Sequence, residues 1–433
     1  MSHRTGGRIF NVKSLARVEG EGALFVQVEG DQVTSAQLNI YEPPRFFEAF
    51  LRGRTYLEPP DITARICGIC PVAYQMSACR AIEDACGVTI PADIDRLRRL
   101  LYCGEWIESH TLHIYMLHAP DFLGVASAID FARDHRPIVE RGLRMKKIGN
   151  RILEVVGGRA IHPINVRVGG FHRAPTVAEL HALIPDLEWA RQAAIDTVRL
   201  VSGFSFPDYR GDWDFIALAG DDEYPIMGNR IVSASGNLDI PVQQFCDHLR
   251  ERQVPYSTAL HGHWELGKYL YGPLARYNIN YELLPEIARA TAEDCGFPRS
   301  CRNPFQSIVV RALEVLFAFD EALHLVANYS RLGQPFVEVP ARAGVGYGIS
   351  EAPRGLLYHS YELDEDGTIL AANIVPPTAQ NQEAIEHDLC HVVEDNLHLD
   401  DAALTQLCET AIRNYDPCIS CSAHFLDLHL ERS

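Results

Sequence analysis

Nowhere does this sequence gather lysine and arginine into a run, and its 57 acidic residues outweigh 39 basic ones to leave a net charge of -18. With no basic stripe to track a phosphate backbone, nucleic acid is not an expected partner. Long apolar runs are missing as well. No stretch stays uncharged for the roughly 18 residues that a membrane span needs, and Met1 to Val18 scatters charges where a secretory signal would carry an apolar core. The expectation is a cytoplasmic chain without a membrane span. Structural disulfides are rare in that compartment, so the twelve cysteines are expected as thiols, any functional ones serving metal binding or catalysis. Internal repeats, low-complexity tracts and linkers are absent too, which argues for one integrated unit.

What is present is enough to bury a sizeable core: 433 residues, 47% of them hydrophobic. Gly22 to Tyr41 alternates apolar and polar residues around Gly30 and Asp31, the signal of a β-hairpin. From Asp93 to His118 the apolar residues Ile94, Leu97, Leu101, Ile107, Ile114 and Leu117 recur at helical spacing, with Pro91 as the opener. Thr176 to Val201 and Pro304 to Leu332 predict two more long helices, the second apolar on most faces and therefore buried among others. Gly203 to Gly272, richer in Gly, Pro, Tyr and Asp, predicts loops and short strands inserted on the helical body. The fold class that follows is mainly α (α+β): a central bundle of long helices, an N-terminal β-hairpin or sheet and peripheral loop-rich insertions.

Chemistry concentrates in two cysteine pairs. Cys79, Cys86, Cys103, Cys246, Cys295, Cys301, Cys390 and Cys408 stand at spacings without a metal signature and read as small hydrophobes. Cys67-Gly-Ile-Cys70 and Cys418-Ile-Ser-Cys421 differ, because C-x-x-C lets two thiolates from one turn address one ion. Four thiolates suit zinc, an iron-sulfur cluster or a nickel/iron site. The pairs lie near opposite ends of the chain, so the whole domain must fold to join them; loop-closure cost grows only logarithmically and permits this. Polar company also sets them apart from a closed zinc site: Arg65 before the first pair, Asp416 and Pro417 before the second, His424 after it.

Arg65-Ile-Cys-Gly-Ile-Cys70 and Asp416-Pro-Cys-Ile-Ser-Cys-Ser-Ala-His424 together resemble the two signature motifs of nickel-iron hydrogenase large subunits. The resemblance extends to Arg17-Val-Glu-Gly20, to Arg45 through Arg54, to Ser109-His110 through Asp121, to Glu351-Ala-Pro-Arg-Gly355 and to Ile374-Val-Pro-Pro-Thr378. It implies a nickel-iron centre with Cys67 and Cys418 as terminal nickel ligands, and Cys70 and Cys421 bridging to an iron that bears carbon monoxide and cyanide. The implied reaction is heterolysis of H2, in which a proton leaves to a nearby base. Arg354 is implied over the open metal position with Asp121 and Asp416 holding its guanidinium, and Glu19 as first proton carrier beside Cys418. Pro377 and Thr378 resemble residues facing the diatomic ligands. Glu48, the Ile374 carbonyl and His424 resemble a second site for magnesium or iron. His110, His113 and His118 match a histidine-rich helix, where packing suits them better than ligation.

Two departures qualify the resemblance. Many relatives place a histidine where this chain has Tyr74, so the donor to a bridging thiolate changes. The family's maturation protease cuts after the terminal histidine, whereas Phe425 to Ser433 follow His424 here; residues 1–424 are therefore expected as one domain and 425–433 as a maturation tail. Too few further cysteine sets remain for a wire of clusters, which implies an iron-sulfur small subunit and, by likeness to soluble multi-subunit hydrogenases, flavin-bearing partners that exchange electrons with NAD or NADP. A quinone-binding relative from respiratory complex I, which lacks the cysteines, and a structural zinc scaffold are the competing readings.

Overall fold

The computed structural model describes residues 7–125, 128–265 and 267–423. β1 (Arg8–Val12), β2 (Gly22–Glu29) and β3 (Gln32–Ile40) form an antiparallel sheet in that order, with the expected hairpin turning at Gly30 and Asp31. Leu24, Val26 and Val28 line its buried face, the period-two pattern realised. α1 (Pro71–Cys86) begins directly after Cys70, with Pro71 in the first turn where a missing N–H costs nothing. α2 (Ala92–Leu112) runs on into a π-helical turn, His113–His118, so the helix expected over 93–118 is continuous but widens near its end. α3 (Arg136–Gly157) packs along α2.

The segment 176–201 is two helices rather than one. Thr176 and Glu179 form a capping box that starts Val177–His181, and α4 (Ile184–Ser202) follows. Pro185 explains the break: it offers no N–H and its ring crowds the carbonyl of His181. α5 (Ser307–Ala327) ends short of Leu332, where the Asn328 side chain donates to the His324 carbonyl at 2.9 Å. Its apolar faces pack on α2 and α4, as its composition requires.

The C-terminal third carries a sheet that the sequence reading did not anticipate. β4 (Gly344–Ala352), β5 (Gly355–Leu363) and β6 (Ile369–Val375) pair antiparallel, and Met227–Gly228 adds to the free edge of β4. α1 lies against this sheet so closely that a Cβ on Gly348 would stand 2.2 Å from the Ser77 carbonyl, which is why glycine occupies that position. The 203–272 segment does fold as short strands. It is not simply appended to the helices, however, because Ile216, Phe245 and Trp264 share an apolar cluster with Leu356, Tyr358 and Val375 of the sheet. α6 (Pro377–Asp395) and α7 (Asp401–Arg413) complete the chain to the second cysteine pair. No helix among the described residues is long and apolar enough to cross a membrane.

The bundle and the sheet are pinned by one buried charge cluster. Arg276 donates to both oxygens of Glu314 at 2.8 Å and to Glu351 at 3.0 Å, while its guanidinium stacks 4.5 Å over Trp106. His110 approaches Glu314 at 3.0 Å from α2. Burial works against the Glu314 carboxylate, but Arg276 overrides it and holds the group near 2. Its contribution to stability is therefore complete above about pH 4.5 and is lost as pH falls toward 2. Replacing Glu314→Gln leaves Arg276 buried and undercompensated, at a cost of about 3–5 kcal/mol. Denaturant midpoints measured between pH 5 and 2 should show that loss together with a flatter acid limb, and a cost below about 1 kcal/mol would contradict this role.

Candidate metal centre

The first cysteine pair is shaped from its backbone outward. Cys67 is extended, Cys70 caps α1, and the amides of Ile69 and Cys70 donate to the Cys67 sulfur at 3.3 and 3.4 Å. Glu105 on α2 accepts from the amides of Val72 at 2.6 Å and Ala73 at 3.1 Å, fixing the helix start that carries Cys70. The second pair sits on a short turn, Ile419–Ser422, that pairs with the N-terminal chain at Glu19. Thr378, in the first turn of α6, accepts from the Cys418 amide at 3.0 Å. Arg45 ties the pairs together: one guanidinium nitrogen donates to the Ile66 carbonyl at 2.7 Å and to the Ser420 carbonyl at 2.5 Å.

All four sulfurs are buried and lie within 4.8 Å of one another. Cys67 stands 3.4 Å from Cys418, Cys70 3.5 Å from Cys421, and Cys418 2.8 Å from Cys421. Beside them is a narrow cleft lined by Cys70, Tyr74, Arg354, Pro377, Cys418 and Cys421. Arg354 occupies the tip of the β4–β5 hairpin and is held by Asp416, through Nε to the carbonyl at 2.7 Å and Nη2 to the carboxylate at 3.1 Å. Its Nη1 is buried without a hydrogen-bond partner among the described residues. Asp416 itself is in the left-handed region at φ 49, a strained conformation for a residue with a Cβ.

Electrostatics follow from crowding four ionisable thiols into an apolar site. Cys67 is driven well below the usual thiol range by hydrogen bonds from Cys418, Cys421 and Cys70, with Arg354 adding to the effect. Burial and then the neighbouring sulfurs push Cys418 well above it. Burial opposes the charge on Arg354, but Asp416 and then Cys418, Cys70 and Cys67 more than offset it. Tyr74 is fully buried, and desolvation followed by the charges on Cys421 and Cys70 keeps its hydroxyl protonated. The Cys418 thiol donates to Glu19 at 3.1 Å, and burial raises the Glu19 carboxyl above its ordinary range.

Relatives of known type bear directly on this arrangement. The sequence profile of nickel-dependent hydrogenases matches residues 45–136. Sulfhydrogenase 1 subunit alpha of Pyrococcus furiosus is 32% identical over 421 residues, covering 96% of this chain and 98% of that protein. This chain belongs to the nickel-dependent hydrogenase family. Within that family it is also similar to the NAD-reducing hydrogenase HoxS subunit beta of Cupriavidus necator, 28% identical over 96% of this chain and 94% of that one. A crystal structure of an NAD+-reducing NiFe hydrogenase in the H2-reduced state superposes with a TM-score of 0.87 at 27% identity, covering 96% and 99% of the two chains.

The donor set suits a hydrogenase centre. Sulfurs that share an ion at about 2.3 Å stand roughly 3.3–3.8 Å apart, and the two contacts between the pairs meet that spacing at 3.4 and 3.5 Å. Arg354 Nη1, on a residue that lines the cleft with the sulfurs, is a buried donor without a partner among the described residues, which suits a group bound there.

Most residues singled out in the sequence converge here: Glu19, Cys67, Cys70, Arg354, Pro377, Thr378, Asp416, Cys418 and Cys421 form one site. Asp121 is the exception. It was expected on Arg354, but its carboxylate takes Arg413 at 2.7 and 2.8 Å and Arg17 at 2.5 Å, leaving Asp416 to hold Arg354. Asp121 follows the π-helical turn His113–His118, and Arg413, the last residue of α7, is the arginine it meets. Glu48 lies beside Ile374 and accepts its amide, rather than meeting its carbonyl, at 2.7 Å, and burial raises its carboxyl to about 7. Glu251, not singled out in the sequence, lies close enough for Glu48 to help burial raise it to about 8. His424 lies outside the described residues. His113 bonds the Arg413 carbonyl at 2.8 Å, and His118 packs on His113 and Phe122. Of the remaining cysteines, Cys79, Cys86, Cys103, Cys301 and Cys408 are buried and Cys246, Cys295 and Cys390 half-buried, all as free thiols.

Arg45 and Glu105 were missed as functional residues. Each acts on backbone atoms near a cysteine, which leaves no spacing signal. Arg45→Ala removes two hydrogen bonds of the charged kind, each worth about 1.5–3 kcal/mol. The variant should fold, as read by circular dichroism, yet retain much less nickel after gel filtration. Wild-type nickel content would show that Arg45 does not hold the pairs together.

Proposed function

We propose that this chain is the catalytic large subunit of a nickel-iron hydrogenase that splits and forms H2 heterolytically, working with an iron-sulfur small subunit. One observation carries the reading: two thiol pairs from opposite ends of the chain meet beside the buried guanidinium of Arg354, whose Nη1 has no hydrogen-bond partner among the described residues. A nickel-iron centre with carbon monoxide and cyanide on its iron, when bound, supplies the Lewis acidity that polarises H2. By family likeness Cys67, Cys70, Cys418 and Cys421 would hold that centre, and their sulfurs lie within 4.8 Å of one another. By family likeness Pro377, which lines the cleft, and Thr378, which accepts from the Cys418 amide, would face the diatomic ligands.

The chain's own residues handle the proton. Arg354, kept charged by Asp416, directs positive charge at the cavity and orients what binds there. The Cys418 sulfur accepts a proton and passes it to Glu19 along their 3.1 Å hydrogen bond. Asp121 acts at a distance, through Arg413 and Arg17. Tyr74 stands where a hydroxyl can donate to Cys421.

Several finer roles rest on family likeness. Glu48, the Ile374 carbonyl and His424 hold magnesium or iron; the close carboxyls of Glu48 and Glu251, both raised by burial, are the kind of pair a hard cation relieves. Electrons pass to the small subunit and on to NAD or NADP through flavin-bearing subunits, as the names of the NAD-reducing relatives favour. Residues 1–424 act as one domain in the cytoplasm, and a maturation protease removes 425–433.

Purified with its native partners, the protein should reduce NAD or NADP with H2 and contain nickel. Replacing Arg354→Lys should leave both metals bound while slowing H2 turnover by roughly 10²–10³, because one ammonium cannot reproduce the guanidinium's paired hydrogen bonds. Full turnover in that variant would remove Arg354 from the mechanism.

A further inference from the structure

The outer side of α6 carries a second group of metal-binding side chain types, in His387-Asp-Leu-Cys-His391. Four positions make about one helical turn, so the two imidazoles share a face, and their ring centroids stand 4.3 Å apart. Hydrogen bonds fix which nitrogen each ring has left over. His391 Nδ1 donates to the His387 carbonyl at 2.9 Å, so the lone pair of the neutral ring is on Nε2. His387 Nδ1 meets the Asp388 carboxylate at 3.4 Å, and its Nε2 accepts from the Lys268 ammonium at 2.5 Å. Both rings therefore present Nε2 as the acceptor.

The support behind the pair is of the kind metal-ligating histidines use, a carboxylate on the far nitrogen. Asp388 is buried, and its other partners are the hydroxyls of Tyr209, at 2.8 Å, and Tyr415. Among the described residues no lysine or arginine lies within ion-pair distance of that carboxylate; His387 is its one basic neighbour. Positive charge held at His387 Nε2 thus offsets a buried negative charge through the ring. The Lys268 ammonium already stands there. Lys268 is exposed and follows Gly267, which has φ +104 and open space around it, so its side chain can leave without disturbing the packing.

From this geometry we propose that His387 and His391 bind one divalent transition-metal ion through their Nε2 atoms, in place of the Lys268 ammonium. Imidazole suits zinc, nickel and copper, whereas magnesium and calcium prefer oxygen ligands. Two histidines one turn apart on a helix are a recurrent way to hold such an ion. Metal–nitrogen distances of about 2.0–2.1 Å place the two nitrogens of one ion roughly 3 Å apart, within reach of rings already this close. Water completes the coordination. Thr378 precedes His387 by nine positions on α6, roughly 13 Å along the axis, so this ion is separate from the one at the cysteines. The inference does not depend on the hydrogenase reading.

The test uses the complex purified with its native partners and equilibrium dialysis against radioactive Ni2+, so that only newly bound ion is counted. Wild type should take up one more ion per chain than the double variant His387→Ala/His391→Ala. Each single variant should weaken that uptake by about tenfold or more, and Lys268→Met, which removes the competing ammonium, should strengthen it. Cu2+ in place of Ni2+ should give an electron paramagnetic resonance spectrum coupled to two ring nitrogens, reduced to one in His391→Ala. Should His387→Ala disturb α6 through Asp388, the exposed His391→Gln decides by the same two readouts. Equal uptake by wild type and the double variant means that ions bind elsewhere only, and overturns the proposal. Uptake or a two-nitrogen spectrum that survives in His391→Gln, or weaker uptake in Lys268→Met, also overturns it.

Discussion

Two segments separated by 351 positions must be brought within a few ångströms before any chemistry is possible here, and the Arg45 guanidinium bonded to Ile66 on one side and Ser420 on the other makes that junction. Everything at the centre depends on it. Each pair is shaped locally, by Glu105 on the α1 amides and by Thr378 and Glu19 on the Cys418 turn, and the Arg45 junction sets one against the other. Because closing a longer loop costs only logarithmically more, a site spanning nearly the whole chain is affordable. It also makes the centre a report on the whole fold.

The second constraint is charge in an apolar interior. Arg276, Glu314, Glu351, Arg354 and Asp416 are all buried, and each has a charged partner. The pairing is complete in the structural cluster and incomplete at the site. Arg276 spends its guanidinium on two carboxylates and two carbonyls, whereas Arg354 keeps one N–H free beside the thiols. Fully paired charge gives rigidity and partly paired charge gives reactivity, so the same residue types serve different ends 78 positions apart.

Periodic and motif-bearing features were legible in the sequence. The hairpin, α2, α5 and the four cysteines were read correctly because spacing carries them. Features set by tertiary contact were not. The sheet of β4 to β6 was missed, although Arg354 was placed by resemblance without its hairpin. Asp121 meets Arg413 and Arg17 rather than the expected Arg354, because motif likeness says which residue recurs, not which of several guanidinia it grips. Glu251 had no signal beyond being polar, and only folded geometry joins it to Glu48.

The central claim is that the two thiol pairs hold one nickel-iron centre rather than a closed structural ion. The infrared spectrum of the protein purified with its native partners tests it most directly, because diatomic ligands on iron have almost no other source in a protein. Bands from carbon monoxide and cyanide are expected, in a sample holding nickel. A sample that holds zinc alone and shows no such bands would contradict it.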